Sequence, residues 1–258
     1  SANDCFRPVS RYFDRITRPE QIIDALPRAM AVLTDPALCG PVTLALCQDV
    51  QAEAYDYPES FFAPRIWRSR RPRPDRAELN NLVEAIRTAK TPLIIAGGGI
   101  LYSEAERVLA DLAARTGIPV AETQAGKGAL VWDHPQALGS IGVTGTSAAN
   151  AAAEAADLIV GVGTRLQDFT TGSRTLFAGK RLMQINIAAP DAIKQGAEAV
   201  VGDARETLEA LAEALADWQV DDRWRAANRA AVAEWNAAWD AATAPVNALP
   251  SDAQVIGA

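Results

Sequence analysis

The chain has 258 residues, of which 49% are hydrophobic and 22% are charged, and its formal net charge is −7 at pH 7. This length accommodates one large or two modest domains, and the composition is typical of a globular protein. The acidic balance argues against nucleic-acid binding, which depends on basic surface. Because no apolar stretch approaches the roughly 18 residues of a membrane-spanning helix, we expect no membrane partner either.

The first part of the sequence contains the patterns of too few helices and strands for a complete domain. Residues 4–18 lack a clear periodicity, so we expect an extended or irregular segment. The residues after Thr17 predict a helix with an apolar stripe and a kink at Pro27, and residues 40–46 predict a strand. One helix and one strand cannot bury their apolar faces alone, so residues 1–55 are interpreted as the end of a longer domain. We expect no signal peptide before it.

A linker is predicted over residues 56–75, which are rich in proline and arginine and show little periodicity. Its arginines are interpreted as part of a solvent-exposed segment between domains, because runs of like charge usually face solvent.

Buried apolar runs that end at glycine recur through residues 76–218 and predict a parallel sheet. They are Pro92–Gly99, Asp157–Arg165, Arg181–Ile187 and, more weakly, Ala199–Asp203. Each is followed by a helical pattern, which is typical of repeated βαβ units. We therefore predict an α/β, Rossmann-like domain with a doubly wound, mostly parallel sheet and helices on both faces. One of its helices is expected to start at a capping box, Ser103-Glu-Ala-Glu106. A second is expected to begin with Thr146 or Ser147 as its cap. The last helix of the domain is predicted over residues 204–218.

Residues 219–258 are expected to connect this domain to a further one. A helix with three tryptophans is predicted over residues 221–243, and Ser251-Asp-Ala-Gln254 is a second capping box. The tryptophans favour packing against elements that are distant in sequence, and self-association through this helix remains an alternative role for the chain.

The loops that follow the predicted strands are the candidate binding site, because ligands of such sheets bind at the carboxyl ends of the strands. Glycines and helix amides there can approach and bind an anion, and two cationic side chains add positive charge. Neither a Gly-x-Gly-x-x-Gly fingerprint nor a Walker sequence is present, so tight turns and a nucleotide crevice remain equally open interpretations. The candidate residues are Gly97, Gly98, Gly99, Lys127, Gly142, Gly145, Thr164 and Arg165.

Neither metal nor nucleophilic catalysis is predicted from the histidine and cysteine content. His134 is the single histidine and is interpreted as a loop residue rather than as part of a zinc site or a Ser-His-Asp triad. The three cysteines have no metal-binding spacing, so we expect reduced thiols and a cytoplasmic protein.

The chain also resembles a known family, the trihydroxycyclohexane-1,2-dione hydrolases of inositol breakdown, which are thiamine-diphosphate enzymes. The resemblance extends along nearly the whole chain. The stretches that carry it are Phe6-Arg-Pro-Val-Ser-Arg-Tyr-Phe-Asp-Arg-Ile16, Arg18-Pro-Glu-Gln21, Val32-Leu-Thr-Asp-Pro36, Gln48-Asp-Val-Gln51, Glu122-Thr-Gln-Ala-Gly-Lys-Gly128, Gly142-Val-Thr-Gly-Thr146, Gly161-Val-Gly-Thr-Arg165 and Asp168-Phe-Thr-Thr171.

The resemblance implies a division of labour within a longer protein. Residues 1–55 resemble the end of a pyrimidine-binding domain, 76–218 the central domain, and 219–258 a connector and the start of a diphosphate-binding domain. The family's catalytic glutamate and its magnesium and diphosphate ligands have no counterpart in this sequence, so no catalytic or metal-binding residue is assigned. The full protein is expected to hydrolyse a carbon–carbon bond of a cyclic diketone, as a homo-oligomer.

A nucleotide in the central domain is a further implication of the resemblance. Some relatives bind FAD or ADP through the loops that correspond to Gly97–Gly99, Gly163–Arg165 and the end of the Arg181 strand. Flavin-binding relatives carry an acidic residue where this chain has Gln184-Ile-Asn-Ile187. Asn186 is a weaker acceptor for ribose hydroxyl groups, so a crevice used for contacts between domains is expected instead of a flavin site.

Overall fold

The structure is a computed structural model that describes residues 1–245 and 249–257. It divides into two compact units, Ser1–Arg70 and Arg71–Ala258, and this division falls within the predicted linker 56–75. Residues 246–248 and 258 of the predicted connector 219–258 lie outside the described residues. Within the described part of the chain, no helix is both long enough and apolar enough to cross a membrane.

The first unit is built on two parallel strands and one helix. A 3₁₀ helix, Ala2–Val9, precedes strand β1 (Tyr12–Ile16), helix α1 (Ile22–Thr34) and strand β2 (Val42–Leu46). β1 and β2 pair in parallel from Tyr12 opposite Val42 to Ile16 opposite Leu46. β1 lies in the segment that was expected to be extended or irregular, and α1 continues through Pro27 to Thr34.

The second unit contains one six-stranded sheet, and helices follow most of its strands along the chain. Its strands are β3 (Pro92–Ala96), β4 (Val120–Glu122), β5 (Ala137–Ser140), β6 (Leu158–Val162), β7 (Arg181–Asn186) and β8 (Glu198–Val201). Its helices are α2 (Arg76–Thr88), α3 (Gly98–Tyr102), α4 (Glu106–Thr116), α5 (Ser147–Ala155), α6 (Asp168–Thr171), α7 (Ala189–Ala192), α8 (Ala204–Ala214), α9 (Asp222–Thr243) and α10 (Asp252–Gly257).

The sheet has the order β5-β4-β3-β6-β7-β8, and every neighbouring pair is parallel. All residues of β3 and β6 are buried, as expected for central strands that are covered on both faces. Helices flank the sheet on both faces, with α8 packed on α2 and α4, and α5 packed on α9. The predicted α/β class and the doubly wound, parallel arrangement are therefore confirmed.

Two local predictions in this unit were wrong. Ser103 does not cap a helix, because α4 begins only at Glu106 after Ala105, and the Ser103 hydroxyl is hydrogen-bonded elsewhere. The helix predicted to run to Trp218 ends at Ala214, where Leu215 leaves the helical conformation. The capping box at Ser251 is confirmed, since the Ser251 and Gln254 side chains each accept from the other's backbone N–H, at 3.4 and 2.8 Å.

Candidate functional site

The strand order places a topological switch point between β3 and β6. The chain builds β4 and β5 on one side of β3, then returns to place β6, β7 and β8 on the other side. Because all six strands are parallel, the loops after them meet at one edge of the sheet. In doubly wound sheets, the crevice at such a switch point is the usual place for a ligand.

Three glycines close the switch point by direct backbone packing. The Gly97 N–H donates to the Val162 carbonyl at 2.8 Å, and the Gly99 N–H donates to the Gly163 carbonyl at 2.9 Å. A Cβ atom on Gly97 would lie 2.4 Å from the Gly163 oxygen, and one on Gly163 would lie 2.5 Å from the Gly99 Cα atom. Gly163 also has a φ of +60°, which favours glycine. The close approach of the two loops therefore requires glycine, and two of the predicted amide donors already have partners.

The loop before α5 is also held by bonds within the protein. Asn150 clamps Gly142, since its Oδ1 accepts from the Gly142 N–H at 3.0 Å and its Nδ2 donates to the Gly142 carbonyl at 2.9 Å. The Val143 N–H donates to Phe169, and the Gly145 N–H donates to Gly142. Of the two predicted caps, Thr146 is the N-cap of α5, and its hydroxyl oxygen accepts from the Ala149 N–H. The backbone N–H groups of Gly142, Val143 and Gly145 therefore already have acceptors within the protein, and only the other N–H groups of this loop could donate to an anion.

A buried cluster of amide side chains lies beside the switch point. The Thr164 carbonyl accepts from Gln184 Nε2 at 3.1 Å and from Asn186 Nδ2 at 2.9 Å, while Asn186 Oδ1 accepts from the Ala188 N–H at 3.0 Å. Both ends of the Asn186 amide are thus used inside the protein. Gln184 Oε1, in contrast, is buried and has no hydrogen-bond partner in the described part of the chain. Such an atom is costly unless a donor reaches it.

The two predicted cations differ in their surroundings. Arg165 is paired with Asp191, with 3.4 Å between Nε and Oδ2, and Lys194 also forms an ion pair with Asp191. Two thirds of the Arg165 side chain remains exposed. Lys127 is exposed and follows the short 3₁₀ turn Gln124–Gly126 at the end of β4. Both cations lie in loops of the same sheet edge, although Arg165 carries a carboxylate partner.

A polar cluster that the sequence did not predict joins three segments near the end of β8. Asp203 is buried, and its Oδ2 accepts from Ser103 Oγ at 2.6 Å and from Arg71 Nη1 at 3.4 Å. Its Oδ1 accepts from the first amides of α8, and its N–H donates to Pro72. The pattern Asp203-Ala-Arg-Glu206 is typical of a helix start and could have indicated the cap. No local pattern indicates that Arg71 and Ser103 contact Asp203.

Comparison with known proteins identifies the family to which this six-stranded sheet belongs. The family described as "Thiamine pyrophosphate enzyme, central domain" matches residues 79–211, just over half of the chain. The chain belongs to this family. The match begins within α2 and ends within α8, and it therefore includes the six-stranded sheet and its switch point.

Individual relatives of this thiamine pyrophosphate family extend the similarity to the first unit. The chain is 52% identical to the 3D-(3,5/4)-trihydroxycyclohexane-1,2-dione hydrolase of Geobacillus thermodenitrificans, over 84% of the chain and 34% of that protein. It is 48% identical to the protein of the same name in Shouchella clausii, over 83% and 34%. It is 47% identical to that of Bacillus thuringiensis, over 93% and 37%. The chain thus spans about a third of the length of these relatives.

Proposed function

We propose that this chain is the scaffold portion of a thiamine-diphosphate-dependent hydrolase that opens the ring of trihydroxycyclohexane-1,2-dione by carbon–carbon bond hydrolysis. The observation that carries the proposal is the identity of 47–52% to relatives of that name, over 83–93% of the chain. An identity of this level that extends beyond the central domain is more specific than membership of the wider family. The substrate would be a small cyclic diketone.

We place the groups that do the chemistry outside residues 1–258. Among the described residues, no group of three or more His, Cys, Asp or Glu side chains lies close enough to hold a metal ion. Thiamine diphosphate would supply the carbanion chemistry when bound, and magnesium would bind its diphosphate. We therefore propose no catalytic and no metal-binding residue within residues 1–258. We also propose the domain roles that the resemblance implies, for residues 1–55, 56–75, 76–218 and 219–258.

The proposal is tested by comparing the isolated chain with a full-length protein that contains it. We expect ring opening of the diketone by the full-length protein, in a thiamine-diphosphate-dependent manner, and neither turnover nor thiamine diphosphate binding by residues 1–258. Turnover by the isolated chain would overturn the scaffold role. A full-length protein without activity on the diketone would overturn the hydrolase assignment. We further propose that the full-length protein is cytoplasmic and forms a homo-oligomer. Light scattering tests the oligomeric state.

A nucleotide-binding role, with FAD or ADP at the switch point, is the second candidate. The observation that favours it is the unpartnered, buried Gln184 Oε1 beside Thr164, where a ligand N–H or O–H would satisfy the acceptor. The remaining elements would be Gly97, Gly98 and Gly99, the Gly142–Gly145 loop, and the cations Lys127 and Arg165. The internal use of both ends of the Asn186 amide counts against a ribose contact at that residue.

A thermal-shift measurement separates the two candidates. A ligand that binds only the folded state at about 100 times its Kd stabilises a protein by about 2.7 kcal/mol, so ADP or FAD would raise the Tm clearly. Arg165→Gln should reduce that shift, whereas Arg223→Gln should leave it unchanged, because the neighbouring Trp224 contacts Pro92 at the start of β3, the other end of the strand from Gly97. An unchanged Tm with both nucleotides would reject the second candidate.

A further inference from the structure

The predicted linker contains two parts that differ in how they are held. Residues 64–70 have no helix or strand and are exposed throughout. Their one hydrogen bond within the described residues runs from Ser69 Oγ to the Thr34 carbonyl, at 3.3 Å. Residues 71–74 also lack secondary structure, but several contacts fix them to the second unit. We call residues 64–70 the free segment and residues 71–74 the anchored segment.

The guanidinium of Arg71 holds the first residue of the anchored segment. Its Nη1 donates to the Ser103 carbonyl at 2.6 Å and to Asp203 Oδ2 at 3.4 Å. Its Nη2 also lies 3.7 Å from Glu104 Oε1. Because Asp203 is buried, release of Arg71 would leave a buried carboxylate without its cation. Release of Arg71 is therefore opposed more strongly than the opening of a surface ion pair.

The backbone of the anchored segment is fixed as well. The Asp203 N–H donates to the Pro72 carbonyl at 2.8 Å. Gly202, just after β8, packs against Pro74, since a Cβ atom on Gly202 would lie only 2.9 Å from the Pro74 nitrogen. The anchored segment therefore lies directly on the backbone that follows β8, with no space for a side chain between them.

We propose that the linker is a hinge with one fixed end, in which the chain bends within the free segment while the anchored segment moves with the second unit. The contact between Arg71 and Asp203 sets the boundary between the two segments. A chain bends most easily where few packed contacts and few hydrogen bonds oppose rotation of the backbone, and this condition holds for the free segment alone. The proposal does not depend on the hydrolase activity or on a nucleotide.

Limited trypsin digestion of the intact chain tests where the boundary lies. Trypsin cleaves after arginine, and the free segment contains Arg65 and Arg70. Cleavage after Arg70 requires Arg71 and Pro72 to leave the second unit, whereas cleavage after Arg65 does not. Only the small population with a released anchored segment can be cleaved after Arg70. Relative to a synthetic peptide of residues 60–76, we expect the initial rate after Arg70 to be lowered at least about tenfold more than the rate after Arg65.

Asp203→Asn tests whether the carboxylate holds the boundary. The substitution preserves the shape of the side chain and removes the charge that binds Arg71, and it leaves the sequence around both cleavage sites unchanged. We expect cleavage after Arg70 to accelerate by at least about tenfold, because the released population increases, while the rate after Arg65 stays the same. Circular dichroism checks that the variant is folded.

Glu206→Gln is the matched control on the same helix, α8. It removes the ion pair that Arg73 of the anchored segment makes with Glu206, and the Arg73 side chain is 85% exposed. Such an exposed pair contributes little, so both cleavage rates should remain unchanged. If Asp203→Asn is unfolded, Gly202→Ala takes its place, because the new Cβ atom displaces Pro74. It should likewise accelerate only the cleavage after Arg70.

Three results would contradict the proposed boundary. Equal protection of the sites after Arg65 and Arg70 in the native chain would place the fixed end elsewhere. A rate after Arg70 that stays at the wild-type value in folded Asp203→Asn, or in its replacement Gly202→Ala, would show that these contacts do not hold the anchored segment. Acceleration at both sites in the variant would mean that the whole linker loosens, so that no boundary exists at Arg71.

Discussion

Ser103 and Asp203 are joined by a buried hydrogen bond of 2.6 Å from Oγ to Oδ2, although they lie 100 residues apart in the chain. Ser103 is the C-cap of α3, and Asp203 is the N-cap of α8. Arg71, at the start of the second unit, donates to the Ser103 carbonyl at 2.6 Å and to the same carboxylate. The pair therefore fixes the first residues of the unit against the end of β8.

Loss of this carboxylate should be among the more costly substitutions in the second unit. Asp203→Ala removes the cap of α8 and leaves Ser103 and Arg71 without their acceptor, so we expect a loss of about 2–4 kcal/mol in the free energy of unfolding. Ser103→Ala should cost about 1–3 kcal/mol, because a buried hydrogen bond to a charged group is lost. Urea titration followed by circular dichroism measures both. Ser147→Ala, at an exposed position of α5 that is not the cap, is the control.

Glycine is expected to be required at position 163, at the switch point. Gly163→Ala should destabilise the chain by about 2–4 kcal/mol, because the new Cβ atom both adopts a positive φ and overlaps Gly99. Gly179→Ala is the matched control: its φ is +71°, but no atom lies within 4 Å of the position that a Cβ atom would occupy there. The control should therefore lose only the conformational part, about 1–2 kcal/mol. Equal losses at both positions, measured by chemical denaturation, would show that the loop contact is not needed.

Much of the sheet could be predicted from the sequence because its signal is local. Residues 92–96 and 158–162 are short apolar runs followed by glycine, and such runs are typical of strands covered on both faces. The edge strand β5 escaped prediction, since Ala137-Leu-Gly-Ser140 has neither an apolar run nor an alternating pattern. Its position depends on pairing with β4, and no local rule reports that partner.

The candidate site shows the same limit. The sequence correctly indicated that the glycine-tipped strands end at one edge of a sheet. It did not indicate that Gly99 and Gly163 would pack on each other, because the partner of a tight loop is set by the strand order. Ser103 was misassigned for a similar reason: its spacing to Glu106 satisfies a capping pattern, while a distant carboxylate competes for its hydroxyl.

The pairing of Arg181 with Glu198 gives a prediction for acid stability. Arg181 donates from Nε and Nη2 to the two Glu198 oxygens at 2.7 and 2.9 Å, and these hydrogen bonds lower the pKa of Glu198. A carboxyl with a lowered pKa in the folded state stabilises the protein above its unfolded pKa of about 4.3, and this contribution is lost as the pH falls through the folded value.

Glu198→Gln should therefore flatten the dependence of stability on pH between about pH 5 and about pH 3. About two fifths of each side chain is exposed, so solvent screening limits the effect to on the order of half a kcal/mol. Unfolding midpoints at several pH values measure it, and Glu234→Gln, on the exposed side of α9, controls for the change in net charge. A variant whose pH profile is superimposable on wild type would contradict a role for this pair.

Trp224 anchors the long helix α9 to the sheet of the second unit. Its side chain is buried, and its indole Nε1 donates to the carbonyl of Pro92, at the start of β3, at 3.0 Å. Trp224→Phe keeps most of the ring but removes the donor, so we expect a loss of about 1–2 kcal/mol, while Trp224→Ala should lose about 3–5 kcal/mol.

Trp239→Phe, on the same helix, provides the comparison, because Trp239 is 44% exposed and should change stability by less than about 0.5 kcal/mol. Denaturant titration measures the three variants, and hydrogen exchange reports whether the amides of α9 lose protection first. Selective loss of protection in α9 in Trp224→Ala is the expected result, because the buried indole is the contact that ties this helix to β3. Equal destabilisation by Trp239→Phe and Trp224→Phe would instead mean that the anchoring is spread along the helix.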